Sequence, residues 1–210
     1  MAFENGSAQM ALALAAFFVA PSTLVAAEAH LPAETLTVLS GEGLAATARN
    51  RALSAALGFD DMAFGPDFRD RLVTSETCQL ACRFVLSPQN QLDTSLRHLA
   101  AAIFQTRLRM AVLKTQREAV VATLGEEALQ SGLRQAPVFA AALSALAPVD
   151  ASDAGGYLPF AASVAVALAT REDPVLGRIL EARQPEISTQ KPSLTVDQAA
   201  AAWRVIEGQI

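Results

Sequence analysis

The sequence predicts an all-α fold, a single globular domain of about nine helices. Three observations predict it. Apolar residues make up 52% of the 210 residues but aromatics only 6%, so the apolar mass is mostly Ala, Leu and Val. Alanine is the strongest helix former because it loses no rotamer freedom in a helix. In the middle of the chain, apolar residues recur at helical steps. No stretch alternates apolar and polar residues with the β-branched enrichment of a half-buried strand. The length suffices to bury a core without disulfides or metals.

The first element is a core-docked helix from Ser7 to Ala20, ended by Pro21. Residues 5 to 27 carry no charge, so a cleaved signal is the rival reading, with Val25 and Ala27 as the small residues before the cut. Against it, Glu4 stands where a positive n-region belongs, and Pro21 keeps the apolar run short of a membrane span. Residues 1–30 are therefore expected as a loosely docked N-terminal helix. A short helix from Ala33 to Leu39 follows the Leu31–Pro32 turn. Leu44 to Leu57 forms a helix stopped by Gly58. Asp67 is the expected N-cap of a short segment from Phe68 to Val73, and Thr74 or Ser75 that of the helix ending before Pro88.

The longest helical stretch runs from there to Leu124, with Leu92, Leu96, Leu99, Ile103, Met110 and Leu113 as one apolar stripe. Residues 123–129 read TLGEEAL. Gly125 is a left-handed stop, and Glu126 and Glu127 occupy the first turn of the next helix, where carboxylates meet the positive end of its dipole. That helix ends at Pro137. Between Gln135 and Thr170 only Asp150 and Asp153 are charged, so the helices there are expected in the core. Asp173 caps a helix with Pro174 at its first position. Residues 184–194 form a linker, and a last helix from Thr195 to Glu207 carries the single Trp203.

Signals for chemistry are sparse. The chain has no G-x-G-x-x-G, P-loop, G-x-S-x-G or H-E-x-x-H motif, and hence none of the loops or ligand spacings those chemistries need. Cys78 and Cys82 share a helical face but lack the further Cys that a zinc site wants, and read as small buried apolar residues. His98 reads as a surface or boundary residue, with no nucleophile or orienting carboxylate visible in sequence. No catalytic, cofactor-binding or metal-binding residue is predicted. Net charge is −5, which makes no case for nucleic acid. From Arg83 to Arg117, however, six basic residues face one acid, Asp93. Arg97, Arg107, Arg109 and Lys114 are the candidate partner-binding residues, a basic helix face suited to an acidic partner.

FRDRLV (68–73), LRHLAAAIFQTRLRMAVL (96–113) and REAVVATLGEEALQSGLRQAP (117–137) together resemble the K-type sorting-platform adaptor subunit of type III secretion systems, the YscK/PscK family. AHLP (29–32) and NRALSAALGF (50–59) sit where such proteins carry their early His-Pro region and a following helix. The resemblance covers about the middle half of the chain. It implies a cytoplasmic, non-enzymatic adaptor without cofactors. Such a protein bridges the cytoplasmic domain of the inner-membrane ring protein to the pod proteins of the sorting platform, and meets the membrane only through its partners. Two other classes compete. One is a helical ligand-binding or regulatory module with a pocket among the Ala-rich helices around Phe139 to Thr170. The other is a secreted or periplasmic helical protein, if residues 1–27 are a cleaved signal.

Overall fold

Ala- and Leu-rich sequence with frequent Pro, Gly and Ser punctuation folds into short helices. The computed structural model describes residues 2–40, 44–111, 113–134, 137–148, 153–184, 187 and 192–210. Among them are thirteen α-helices, three 3₁₀ turns and no strand. The all-α class holds; the expected count of about nine helices was too low. The helices are α1 (Ala2–Val19), α2 (Ala33–Val38), α3 (Leu44–Leu57), α4 (Phe68–Thr74), α5 (Glu76–Leu86), α6 (Gln89–Ile103), α7 (Gln105–Met110), α8 (Lys114–Leu124), α9 (Glu126–Arg134), α10 (Pro137–Ser144), α11 (Tyr157–Glu172), α12 (Pro174–Arg183) and α13 (Val196–Glu207).

Local signals set most of the starts. Ser75 accepts from the Cys78 N–H at 3.2 Å and Asp173 from the Val175 N–H at 2.9 Å, each capping its helix. Thr195 and Gln198 form a reciprocal capping box on α13. Asp67 is a correction, because its side chain makes no capping bond to α4. Gly125 has φ 84° and ψ 155°, which is the mirror-extended region rather than the left-handed helical well expected of it. Only glycine tolerates that conformation, and it lets one residue close α8 and open α9. Its N–H donates to Val121 O at 2.8 Å while its own carbonyl accepts from Leu129 at 3.2 Å.

The main correction concerns the long helix. It is three helices, α6, α7 and α8, and no proline or glycine marks the breaks. At the first break Phe104 leaves the helical path and stacks on Tyr157, with ring centroids 4.0 Å apart, and its ring also meets the edge of Phe160. Aromatic packing of this kind outweighs the small cost of one broken helical turn. The predicted stripe splits with it. Leu92, Leu96, Leu99 and Ile103 are buried, whereas Met110 is 64% exposed and Leu113 61%.

The core is layered around α6, which meets α8, α9, α10, α11 and α13. Gly132 lets α9 sit directly on α6, since a Cβ there would lie 2.7 Å from Ala101 Cβ and 2.8 Å from Ala101 O. Likewise Gly177 brings α12 against α11, where a Cβ would lie 2.0 Å from Thr170 Oγ1. On the other flank α1, α4 and α11–α13 pack on α5. There Phe17, Phe18, Phe59, Phe64 and Phe68 form a connected aromatic cluster. Leu14, Phe17, Val25 and Ala27 are all buried, so the N-terminal segment is part of this core. Arg71 pairs with Glu172 across the two halves of the chain, and the Gly65 N–H donates to Asp173 at 3.1 Å.

Candidate partner-docking surface

The four predicted docking residues lie on three different helices. Arg97, on α6, is exposed and has no hydrogen bond or ion pair among the described residues. Arg107, on α7, is turned inward. Its guanidinium donates to Pro148 O and sits over the Phe104 ring, 5.8 Å from the centroid, so it seals the α6–α7 break. Arg109 is exposed and reaches Leu133 O on α9 at 3.3 Å. Lys114 opens α8 and pairs with Glu118 at 3.7 Å, an exposed i,i+4 contact of little energetic weight. A continuous basic helix face therefore does not exist.

A different surface does. The elbow between α7 and α8 carries exposed Met110 and Leu113 on either side, in sequence, of Ala111. Ala111 lines a small groove of about 110 Å³ with Leu108, Arg117, Val120, Leu129 and Leu133. The start of α8 borders this elbow, and it breaks the rules of a stable helix terminus. Leu113 at the N-cap offers no side-chain acceptor, and the first turn holds Lys114 and Arg117 but no acid. Cations at the positive end of a helix dipole are destabilising, and unpaired first-turn N–H groups call for an acceptor. Among the described residues Glu126 is the one carboxylate that comes to Arg117, at 3.4 Å. The elbow is thus apolar, bordered by cations whose ion pairs are exposed and weak, and its helix start lacks a side-chain acceptor, features that suit an apolar segment carrying carboxylates. Sequence periodicity places Met110 and Leu113 in the core, so their exposure is invisible until the Phe104 break is known.

His98 also departs from expectation. It is 5% exposed, with its Nδ1 buried and without a hydrogen-bond partner among the described residues. Burial holds the imidazole below its ordinary pKa, and the charge of Glu127 partly offsets this. Both line a polar pocket of about 500 Å³ with Gln130, Ser131 and Arg134. No hydroxyl or thiol of the described residues is hydrogen-bonded to the imidazole, so the pocket lacks the nucleophile–base contact of a triad. Cys78 and Cys82 are free and buried. Interaction with Cys78 together with burial pushes the Cys82 thiol up. Among the described residues no three His, Cys, Asp or Glu side chains gather as a metal requires, and no helix is long and apolar enough to cross a membrane. The chain matches no protein-family profile, no curated protein and no solved structure.

Proposed function

We propose that this chain is a non-enzymatic adaptor of a bacterial type III secretion sorting platform. In this reading it bridges the cytoplasmic domain of the inner-membrane ring protein to the pod proteins. It works at the cytoplasmic face of the inner membrane, held there by its partners, and it needs no cofactor. The sequence resemblance supplies the family. The observation that carries docking is the pairing of exposed Met110 and Leu113 with the uncapped, cationic start of α8.

Magnitudes assign the roles. Burying a Met or Leu side chain contributes about 1.5–3 kcal/mol, whereas an exposed ion pair contributes about 0–1 kcal/mol. Met110 and Leu113 therefore supply most of the affinity. Arg109 and Lys114 steer an acidic partner and set the salt dependence. Arg107 stays outside the interface because Pro148 holds it.

The test is capture of purified pod protein and purified ring-protein cytoplasmic domain by the immobilised chain. Met110→Lys with Leu113→Asp should weaken capture of one partner on the order of a hundredfold. Arg109→Glu with Lys114→Glu should mainly slow association and flatten its salt dependence. Failure of the wild-type chain to capture either partner overturns the family assignment. Capture by both double variants at wild-type strength overturns the elbow as the docking surface.

A further inference from the structure

Helices α11 and α12 meet at Asp173–Pro174, and along one side of the pair runs a groove of about 500 Å³, within the range of small-molecule sites. Val166 and Ala167 of α11, with Ile187 beyond α12, give it an apolar wall. Ser163 and Thr170 also line it, but their hydroxyls donate to Phe160 O and Val166 O of their own helix, each at 2.7 Å, and so offer the groove no proton. Its outward donors are two guanidiniums, Arg171 and Arg178.

These two differ in how far they are committed. Arg178 is compensated by Glu181 at 3.1 Å, and both line the groove. Arg171 has no carboxylate partner among the described residues. One of its nitrogens donates to Leu194 O at 3.2 Å, which leaves the rest of the fork open. Among the described lining residues the groove therefore carries two cations against one anion beside an apolar wall, in a chain whose net charge is −5. One uncompensated guanidinium next to apolar surface selects a ligand with one anionic head and an apolar body.

We propose that this groove binds a small amphipathic monoanion, an aryl or acyl body bearing a single carboxylate or sulfonate. The head lies on Arg171, and the body lies along Val166, Ala167 and Ile187. Ile187 lies outside both helices, so an occupant touches the helix pair and this one residue beyond it. The site is independent of the adaptor reading and of the α7–α8 elbow.

The probe is 1-anilinonaphthalene-8-sulfonate, titrated into the folded full chain by fluorescence, with decanoate, decanol and an acidic amphipathic peptide as competitors. Decanoate should displace the probe, and decanol should be at least about tenfold weaker because it cannot engage the guanidinium. Arg171→Glu alters an exposed side chain and should weaken probe binding by about tenfold or more with an unchanged thermal melt. Ala167→Trp fills the groove and should abolish binding. If that variant misfolds, Arg171→Glu alone decides. Wild-type probe affinity in Arg171→Glu overturns the proposal. So does equal competition by decanol and decanoate, or displacement by the peptide alone, which would mark the groove as a peptide surface.

Discussion

Arg183 is a cation buried in the core, 5% exposed, and its hydrogen bonds explain why the fold tolerates it. Its guanidinium donates to Val85 O, to Ser87 O at 2.8 Å and to Gln89 Oε1 at 3.2 Å. It thereby satisfies carbonyls at the negative end of the α5 dipole. Burial lowers its pKa to about 10, which still leaves it charged at neutral pH. Arg183→Met leaves those carbonyls buried and unpaired, and should lower unfolding free energy by about 3 kcal/mol in denaturant titrations followed by Trp203 fluorescence. Arg183→Lys keeps the charge but loses the fork, and should fall between. His98 gives the pH dependence. Its folded pKa lies below its ordinary value of 6.5, so under that pH the unfolded chain binds a proton that the folded chain refuses. Stability should fall as pH drops below 6.5 and level off once the folded imidazole also protonates. His98→Gln should flatten that slope in unfolding curves taken between about pH 7 and about 5, and Glu127→Gln should steepen it. Neither residue's environment was legible in the sequence. Nothing in the sequence singles out Arg183, and His98 reads as a surface or boundary residue, because burial is set by helices almost a hundred residues apart for the one, and by packing against α9 and residues 208–209 for the other.

Helix packing here is governed by small residues, and the test lies at Gly132. A methyl group there would strike Ala101 Cβ and the Ala101 carbonyl, and backbone cannot rotate away as a side chain can. Gly132→Ala should force α9 off α6 and cost about 1–3 kcal/mol by calorimetry, although alanine is the better helix former. At α13, Thr195→Ala removes the capping box and should cost about 1 kcal/mol. Trp203 lies edge-on to Phe84 at 6.2 Å, so its emission should shift red before global unfolding if α13 frays first. Helix starts were the most legible features. The Ser75 and Asp173 caps are set by a few adjacent residues and follow from them directly, whereas Thr195, expected as the first residue of the last helix, is its N-cap. Asp67 failed because a capping residue needs a non-helical backbone, and its φ of −91° and ψ of 2° place its side chain elsewhere. The α6–α7 break was not legible, since its cause, Tyr157, lies more than fifty residues downstream.

On the scale of the whole molecule, the candidate surface was half legible. The excess of cations between Arg83 and Arg117 is a property of the sequence. Which of them face outward depends on two helix breaks that appear only on packing, and the breaks exchange Arg107 for Met110 and Leu113 at the surface. The contacts between distant halves also bear on how the chain is made. Arg71 meets Glu172, Gly65 meets Asp173, His30 reaches Ala182 O at 2.7 Å, and Gln91 reaches Gln209 O at 3.3 Å. Helix α5 cannot be enclosed until α11 and α12 exist. At roughly 5–20 residues per second, a ribosome that has finished Arg71 needs on the order of 5–20 s to deliver Glu172. During that interval α1, α4 and α5 emerge with their inner faces uncovered. The nascent chain therefore resembles a client for holding chaperones, and truncated chains ending before α11 should be recovered as aggregates while the full chain is soluble.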